Sequence, residues 1–316
     1  MSNKSKRNPE NIMSLDQNVL LALDFFTKNK PPTLDIKKFK KPFVVGSGNA
    51  YNTGLILFSQ SAAIFADESD FKEKIAAYEE EIGNGLVRDA VVISASGGKD
   101  SVWEIELAKK YGLNTTLLTT KAQSNAAKIA DEVKVYKSIA EPYTYNTSTY
   151  MGMILSATGE NPARIKEYIE SLNFPANFDN YKTYSFVVPD KFKNICPMLD
   201  IKDGELFGPH STIRAFPQGH ARHAKFVIRS KDELVMSLGQ KNEFFGDPEG
   251  RMDIELAENI DFAGIMAATY YVVGRIQASK HPYFKENIGN YVSDYGPKAY
   301  GPTTKPFDLI VPGSES

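Results

Sequence analysis

The stretch Val91-Val92-Ile93-Ser94-Ala95-Ser96-Gly97-Gly98-Lys99-Asp100-Ser101 decides how this chain is read. An apolar run stops at a Ser/Gly turn, and a helical pattern opens at Val102 and continues to Lys110. Strand, tight turn and helix in that order leave backbone N–H groups and hydroxyls at a helix N-terminus. The helix dipole favours an anion there, most often a phosphate.

The segments around this turn repeat its grammar. Upstream, Phe43-Val44-Val45 predicts a short strand, a glycine-rich turn spans 46–54, and helices are expected over 55–65 and 70–80. Downstream, a helix over 103–111 is capped by Gly112. A strand over 115–120, a helix over 122–130 and a strand over 132–136 follow. Such alternation with short connections predicts a parallel sheet with helices on both faces. Ligands of such sheets sit at the carboxyl ends of neighbouring strands, where both Ser/Gly turns fall.

At the start of the chain, residues 1–13 are polar and basic and are expected to form a disordered tail. Nothing in them has the apolar run of a signal peptide. Ser14 is placed to cap a helix to about residue 28, with Leu15, Val19, Leu20, Leu23 and Phe26 on one face and Pro31-Pro32 beyond it. Helices are expected over 141–157 and, opened by Asn161-Pro162, over 163–172. The Pro/Asn/Asp-rich break at 173–182 reads as a boundary. Beyond it come strands at 184–188, 212–216, 224–228 and 234–238, a long helix over 254–278, and an irregular tail over 295–316. The expected division is 1–40 (tail and helix), 41–175 (first subdomain) and 176–316 (second subdomain).

Composition limits the function classes. With 42% hydrophobic and 24% charged residues the chain is globular, and a net charge of −2 gives no bulk field toward nucleic acid or membrane. One cysteine, Cys196, excludes a disulfide framework and reads as a packed thiol. No run approaches the roughly 20 apolar residues of a membrane span. Aromatics are not interleaved with basic residues in a stripe, so no nucleic-acid platform is expected. A cytoplasmic protein without a cofactor is the expectation. His220 and His223, three apart, lack a third metal ligand of matching spacing, so no metal is expected.

Two families write the central turn in similar letters. Ser96-Gly97-Gly98-Lys99-Asp100-Ser101 resembles the pyrophosphatase loop of ATP-dependent adenylating enzymes. Five stretches, in order, resemble the sugar isomerase (SIS) domain, especially the isomerase half of glutamine–fructose-6-phosphate aminotransferases. Gly48-Asn49-Ala50-Tyr51-Asn52-Thr53-Gly54 is similar to the family's first turn, and Ile93-Ser94-Ala95-Ser96-Gly97 to its phosphate turn. Leu117-Leu118-Thr119-Thr120 with Ser124 and Ala130-Asp131 matches its third-strand run, and Glu141–Thr147 its following segment. In the second half, Lys202-Asp203-Gly204-Glu205 and Ala215–His223 match two further stretches.

The resemblance implies an α/β architecture of two SIS-type three-layer subdomains, parallel sheets flanked by helices. It also implies aldose–ketose chemistry at C1/C2 of a sugar phosphate, and a homodimer. Glu205 would be the proton-transfer base and His223 the ring-opening histidine, with Lys305 corresponding to the lysine of the family's tail. Gly48, Asn49, Ser94, Ser96, Gly97, Lys99 and Ser101 would bind the substrate. Ala50 and Lys99 stand where the family has hydroxyls, and His220 where it has an acid. A changed phosphate clamp using the Lys99 ammonium, a non-catalytic phosphosugar sensor, and an ATP-dependent adenylating enzyme all remain open at this point.

Overall fold

The computed structural model describes residues 8–311. The chain forms two compact units. One comprises Lys28–Ser138 and Thr149–Glu160; the other comprises the chain up to Thr27, Ile139–Ser148, and everything from Asn161 on.

The unit of Lys28–Ser138 is built on five parallel strands in the order β2-β1-β3-β4-β5. They are β1 (Phe43–Gly46), β2 (Ile64–Ala66), β3 (Asp89–Ile93), β4 (Asn114–Thr119) and β5 (Glu132–Val135). On one face Phe43, Val45, Ala90, Val92 and Leu117 are buried with Phe71 and Ile75 of α3 (Phe71–Ala77) and Ile105 and Ala108 of α5 (Asp100–Lys110). On the other face α2 (Asn49–Leu57) lies close, because Gly54 has no Cβ; one built there would stand 2.7 Å from Val44 Cγ1. A short α4 (Glu79–Gly83) leads into β3.

The other unit carries a second parallel sheet, β7-β6-β8-β9: β6 (Thr183–Val188), β7 (Thr212–Pro217), β8 (Glu233–Leu238) and β9 (Arg251–Ile254). Its helices are α1 (Leu15–Lys28), α7 (Pro162–Glu170), α8 (Cys196–Leu206), α9 (Gln218–Ala224), α10 (Phe262–Ser279) and α11 (Tyr283–Asn290); α6 (Thr147–Thr158) runs from this unit into the other. A π-helical turn, Tyr291–Tyr295, continues α11. Two parallel sheets flanked by helices are the expected fold class.

Several local expectations are corrected. The first-turn helix starts at Asn49 and stops at Leu57, and Ile64–Ala66 pairs with β1 as a strand. Residues 122–130 form turns, because Gly97 O takes the Ala126 amide at 3.0 Å. Helix α6 begins at Thr147; Glu141 lies outside it and its Oε2 accepts the Thr147 and Ser148 amides at 2.9 and 3.1 Å. Residues 224–228 are not a strand, since Lys225 and Phe226 adopt left-handed φ values of 63° and 47° that end α9. Ile254 closes β9, and the long helix starts at Phe262. Of the expected N-terminal tail, Met1–Arg7 lie outside the described residues, whereas Pro9–Asn11 form a 3₁₀ turn and Ile12 is buried.

Candidate functional site

In the first sheet the strand order switches direction at β1: β2 lies on one side and β3 on the other. The turns after β1 and β3 therefore leave neighbouring carboxyl ends, the position where open α/β sheets bind ligands. Each turn ends in the same unusual backbone. Gly48, before α2, has φ 55° and ψ −124°; Lys99, before α5, has φ 53° and ψ −127°. Glycine takes this conformation freely, but a lysine is strained in it. The Lys99 side chain is exposed, as are Gly48 and Ser96. Gly97 is buried with φ 59°, and a Cβ there would stand 2.0 Å from Ser124 Oγ, so only glycine fits. Ser94 and Ser96 hydroxyls accept the Gly97 and Gly98 amides at 3.1 and 3.4 Å. Asn49 and Ser101 are buried; Asn49 O accepts the Thr53 hydroxyl at 2.7 Å, and the Ser101 hydroxyl donates to Gly98 O at 2.7 Å. The Ser101 bond closes its turn from inside, and the Asn49 bond lies within α2.

Glu205 belongs to the other unit, in the last turn of α8. It lines a cleft of about 560 Å³ walled by the end of α8, α11 and the Tyr291–Tyr295 turn. Beneath it Lys202, fully buried, donates to Glu205 Oε2 at 2.5 Å and to Thr144 O at 2.7 Å, and its ammonium lies 5.5 Å from the Tyr270 ring centroid. Burial raises the Glu205 pKa, and the Lys202 charge and hydrogen bond oppose that rise. This balance suits a group that must both take and return a proton. Thr144 reaches Lys202 from a loop in which Thr144 and Asn146 hold φ values of 77° and 47°. Burial raises the Tyr143 and Tyr291 phenols, and the Glu205 charge adds to the effect.

His223 does not line this cleft. Asp203, two residues before Glu205, accepts the Ile213 amide at 2.6 Å, which ties the end of α8 to the start of β7. His223 lies on α9, which leaves the other end of β7. Six strand residues span about 20 Å, so α8 ends and α9 begins at opposite ends of β7. His220 and His223 are both exposed. Lys305 is exposed and outside the cleft lining, but Phe307 beyond it stacks on Tyr143 at 4.9 Å and donates its amide to Val292 O at 2.8 Å. That contact anchors the tail beside the Tyr291 segment. Cys196 is buried, and burial pushes its thiol up to about 12, which fits a packed residue. Among the described residues no group of three or more His, Cys, Asp or Glu side chains could hold a metal ion.

Lys202 and Thr144 fall inside stretches read from the sequence but carry no assigned role there, and Tyr291 and Tyr295 are not singled out. The four-residue spacing of the two tyrosines was a usable signal; the left-handed backbone at Thr144 had none.

No family model matches the sequence, and no curated protein does. Solved structures do match. The C-terminal domain of glucosamine-fructose-6-phosphate aminotransferase from Francisella tularensis superposes with a TM-score of 0.58 at 11% identity, over 87% of this chain and 95% of that one. Tagatose-6-phosphate ketose/aldose isomerase from Escherichia coli gives 0.54 at 12% identity, over 96% and 95%. Glucosamine-6-phosphate deaminase from Thermotoga maritima gives 0.51 at 16% identity, over 84% and 91%. The fold is the SIS fold. At these identities the likeness concerns the architecture alone, two parallel sheets flanked by helices in one chain. No helix among the described residues is long and apolar enough to cross a membrane.

Proposed function

We propose that this SIS-fold protein is a phosphosugar isomerase, or a closely related enzyme acting at C1/C2 of a sugar or amino-sugar phosphate. The observation that carries the reading is the Lys202–Glu205 pair at the wall of a cleft: a partly exposed carboxylate with a raised pKa, backed by a fully buried ammonium. In this reading the turn Ser94–Lys99 holds the phosphate. Glu205 takes the proton from one of C1 and C2 and returns it to the other, while the hydroxyl and carbonyl protons exchange in step. His223 opens the ring from a second copy of the chain, since β7 separates it from Glu205 of its own chain. Lys305 closes the reacting end of the site from the tail.

The exposure of His220 and His223 favours one competing reading, a phosphosugar sensor that binds without turnover. One experiment separates the two. Hexose and hexosamine 6-phosphates are screened by thermal shift beside ATP, and the binders are incubated with the protein in D₂O and followed by NMR. Sugar phosphates are expected to raise Tm and ATP to leave it unchanged. Solvent deuterium should appear at C1 or C2 with wild type and be lost in Glu205→Gln, with phosphosugar affinity nearly intact. Binding without exchange in wild type would make the protein a sensor.

A further inference from the structure

The loop that reaches Lys202 is strained on both sides of Tyr145. Thr144 and Asn146 hold left-handed φ values of 77° and 47°. That region costs a non-glycine residue free energy and persists only where the surroundings fix it. Tyr145 supplies the fixing. Its side chain is fully buried, with its ring 5.4 Å from that of Phe284. Its hydroxyl donates to Met13 O at 2.8 Å and accepts the Gln277 side-chain amide at 3.0 Å. Gln277 Oε1 in turn accepts the Leu15 amide at 2.8 Å. One phenol thus ties the loop to the end of α10 and the start of α1. Burial raises its pKa, so it stays protonated and able to donate.

The loop delivers one carbonyl. Thr144 O takes a Lys202 N–H at 2.7 Å, and Lys202 gives another to Glu205 Oε2 at 2.5 Å. Lys202 has no solvent exposure, so water cannot replace either acceptor. A buried ammonium that loses an acceptor is penalised in its charged form. That charge is what opposes the burial-driven rise of the Glu205 pKa. We propose that Tyr145 and Gln277 are positioning residues for Glu205: they hold the Thr144 carbonyl against the Lys202 ammonium, and the ammonium keeps the carboxylate ready to take a proton. The proton-transfer role rests on the reading of Glu205 as the base given above; the coupling from Tyr145 to Glu205 stands apart from it.

The groups that line the Glu205 cleft or feel its charge are Lys202 on the same helix, Tyr143 and Tyr145 on the loop, His210 before β7, Tyr283 on α11, and Tyr291 and Tyr295 on the π-helical turn. The test alters only Tyr145 among them. The full chain is labelled with ¹³C at its glutamate carboxyl carbons, and the Glu205 signal is identified by its loss in Glu205→Gln. Wild type, Tyr145→Phe, Gln277→Met, the double variant and Phe186→Leu are titrated by NMR. Tyr145→Phe and Gln277→Met keep side-chain bulk and remove the hydrogen bonds; Phe186→Leu alters only packing in the core of the same unit. Each of the first two should move the Glu205 midpoint to higher pH, and the double variant no further than the larger single shift, because both act through one carbonyl. Phe186→Leu should leave the midpoint in place. In the deuterium-exchange assay the same two variants should lose about tenfold in rate with sugar-phosphate affinity unchanged. A midpoint that stays or falls in either single variant, or that Phe186→Leu raises as much, overturns the inference. If the midpoints rise as expected and wild type exchanges no deuterium into any sugar phosphate, the coupling stands and the isomerase reading fails alone.

Discussion

Lys99 occupies a backbone conformation that its counterpart in the other turn, Gly48, reaches without strain. Such strain at a non-glycine residue is of order 1–3 kcal/mol, and in the proposed phosphate-holding turn it points to a side chain wanted there. Lys99→Gly should therefore raise stability to urea by about 1 kcal/mol. It should weaken a phosphorylated ligand about tenfold or more and leave the free sugar unchanged, as loss of a charge-assisted contact would. Calorimetry on both ligands and a denaturation curve check the two halves separately. Glu104 presents another residue-scale case. It is buried on α5, its Oε1 has no hydrogen-bond partner, and burial, reinforced by the charges of Asp100, Glu68 and Asp67, raises its pKa from 4.5 to about 8. Unfolded, it would release its proton near 4.5; folded, it keeps it to about pH 8. The stability linked to this proton is thus fully present below pH 4.5 and is lost as pH rises through about 8. Glu104→Gln should flatten the pH dependence of the urea midpoint across that window. An unchanged slope would mean that Glu104 ionises normally.

Helix α10 is nearly all buried, and its contact with α1 depends on one missing atom. A Cβ at Gly274 would lie 1.8 Å from the Asp16 amide nitrogen and 2.6 Å from its Cα, both backbone atoms at the start of α1. A rotamer change cannot relieve such a clash, so Gly274→Ala should destabilise by at least the roughly 1–3 kcal/mol of ordinary overpacking, measured by urea denaturation. Little in the letters near Gly274 announces this, since the reason lies some 260 residues away. The parallel strands were legible because buried strands write themselves as apolar, β-branched runs: Val91-Val92-Ile93 and Leu234–Leu238 are examples. β9 was missed because Arg251 and Asp253 alternate with Met252 and Ile254 and dilute the signal. The turn between β3 and α5 was legible for its glycines. The buried roles of Ser101 and Asn49 were not, because a hydroxyl or amide spelled at a ligand position reads the same whether it faces outward or bonds to its own segment, as Ser101 does to Gly98 O and Asn49 Oδ1 does to the Asn52 amide.

At the scale of the whole molecule, Glu205 and His223 are carried by helices that end and begin at opposite ends of β7. If catalysis needs both, each reacting centre draws its carboxylate from one chain and its imidazole from another. Two defective proteins could then cure one another. Glu205→Gln and His223→Ala would each be inert alone. Co-expressed at equal levels, half the dimers would be hybrids, and each hybrid would carry one centre with both groups intact, giving about a quarter of wild-type activity. A chain carrying both changes would give no rescue when co-expressed with either single variant, because no pairing then brings an intact carboxylate and an intact imidazole to one centre. Such a dimer would also lose specific activity on dilution, and in a cell carrying two alleles the inheritance of its defects would depend on which of the two helices flanking that strand each lesion struck.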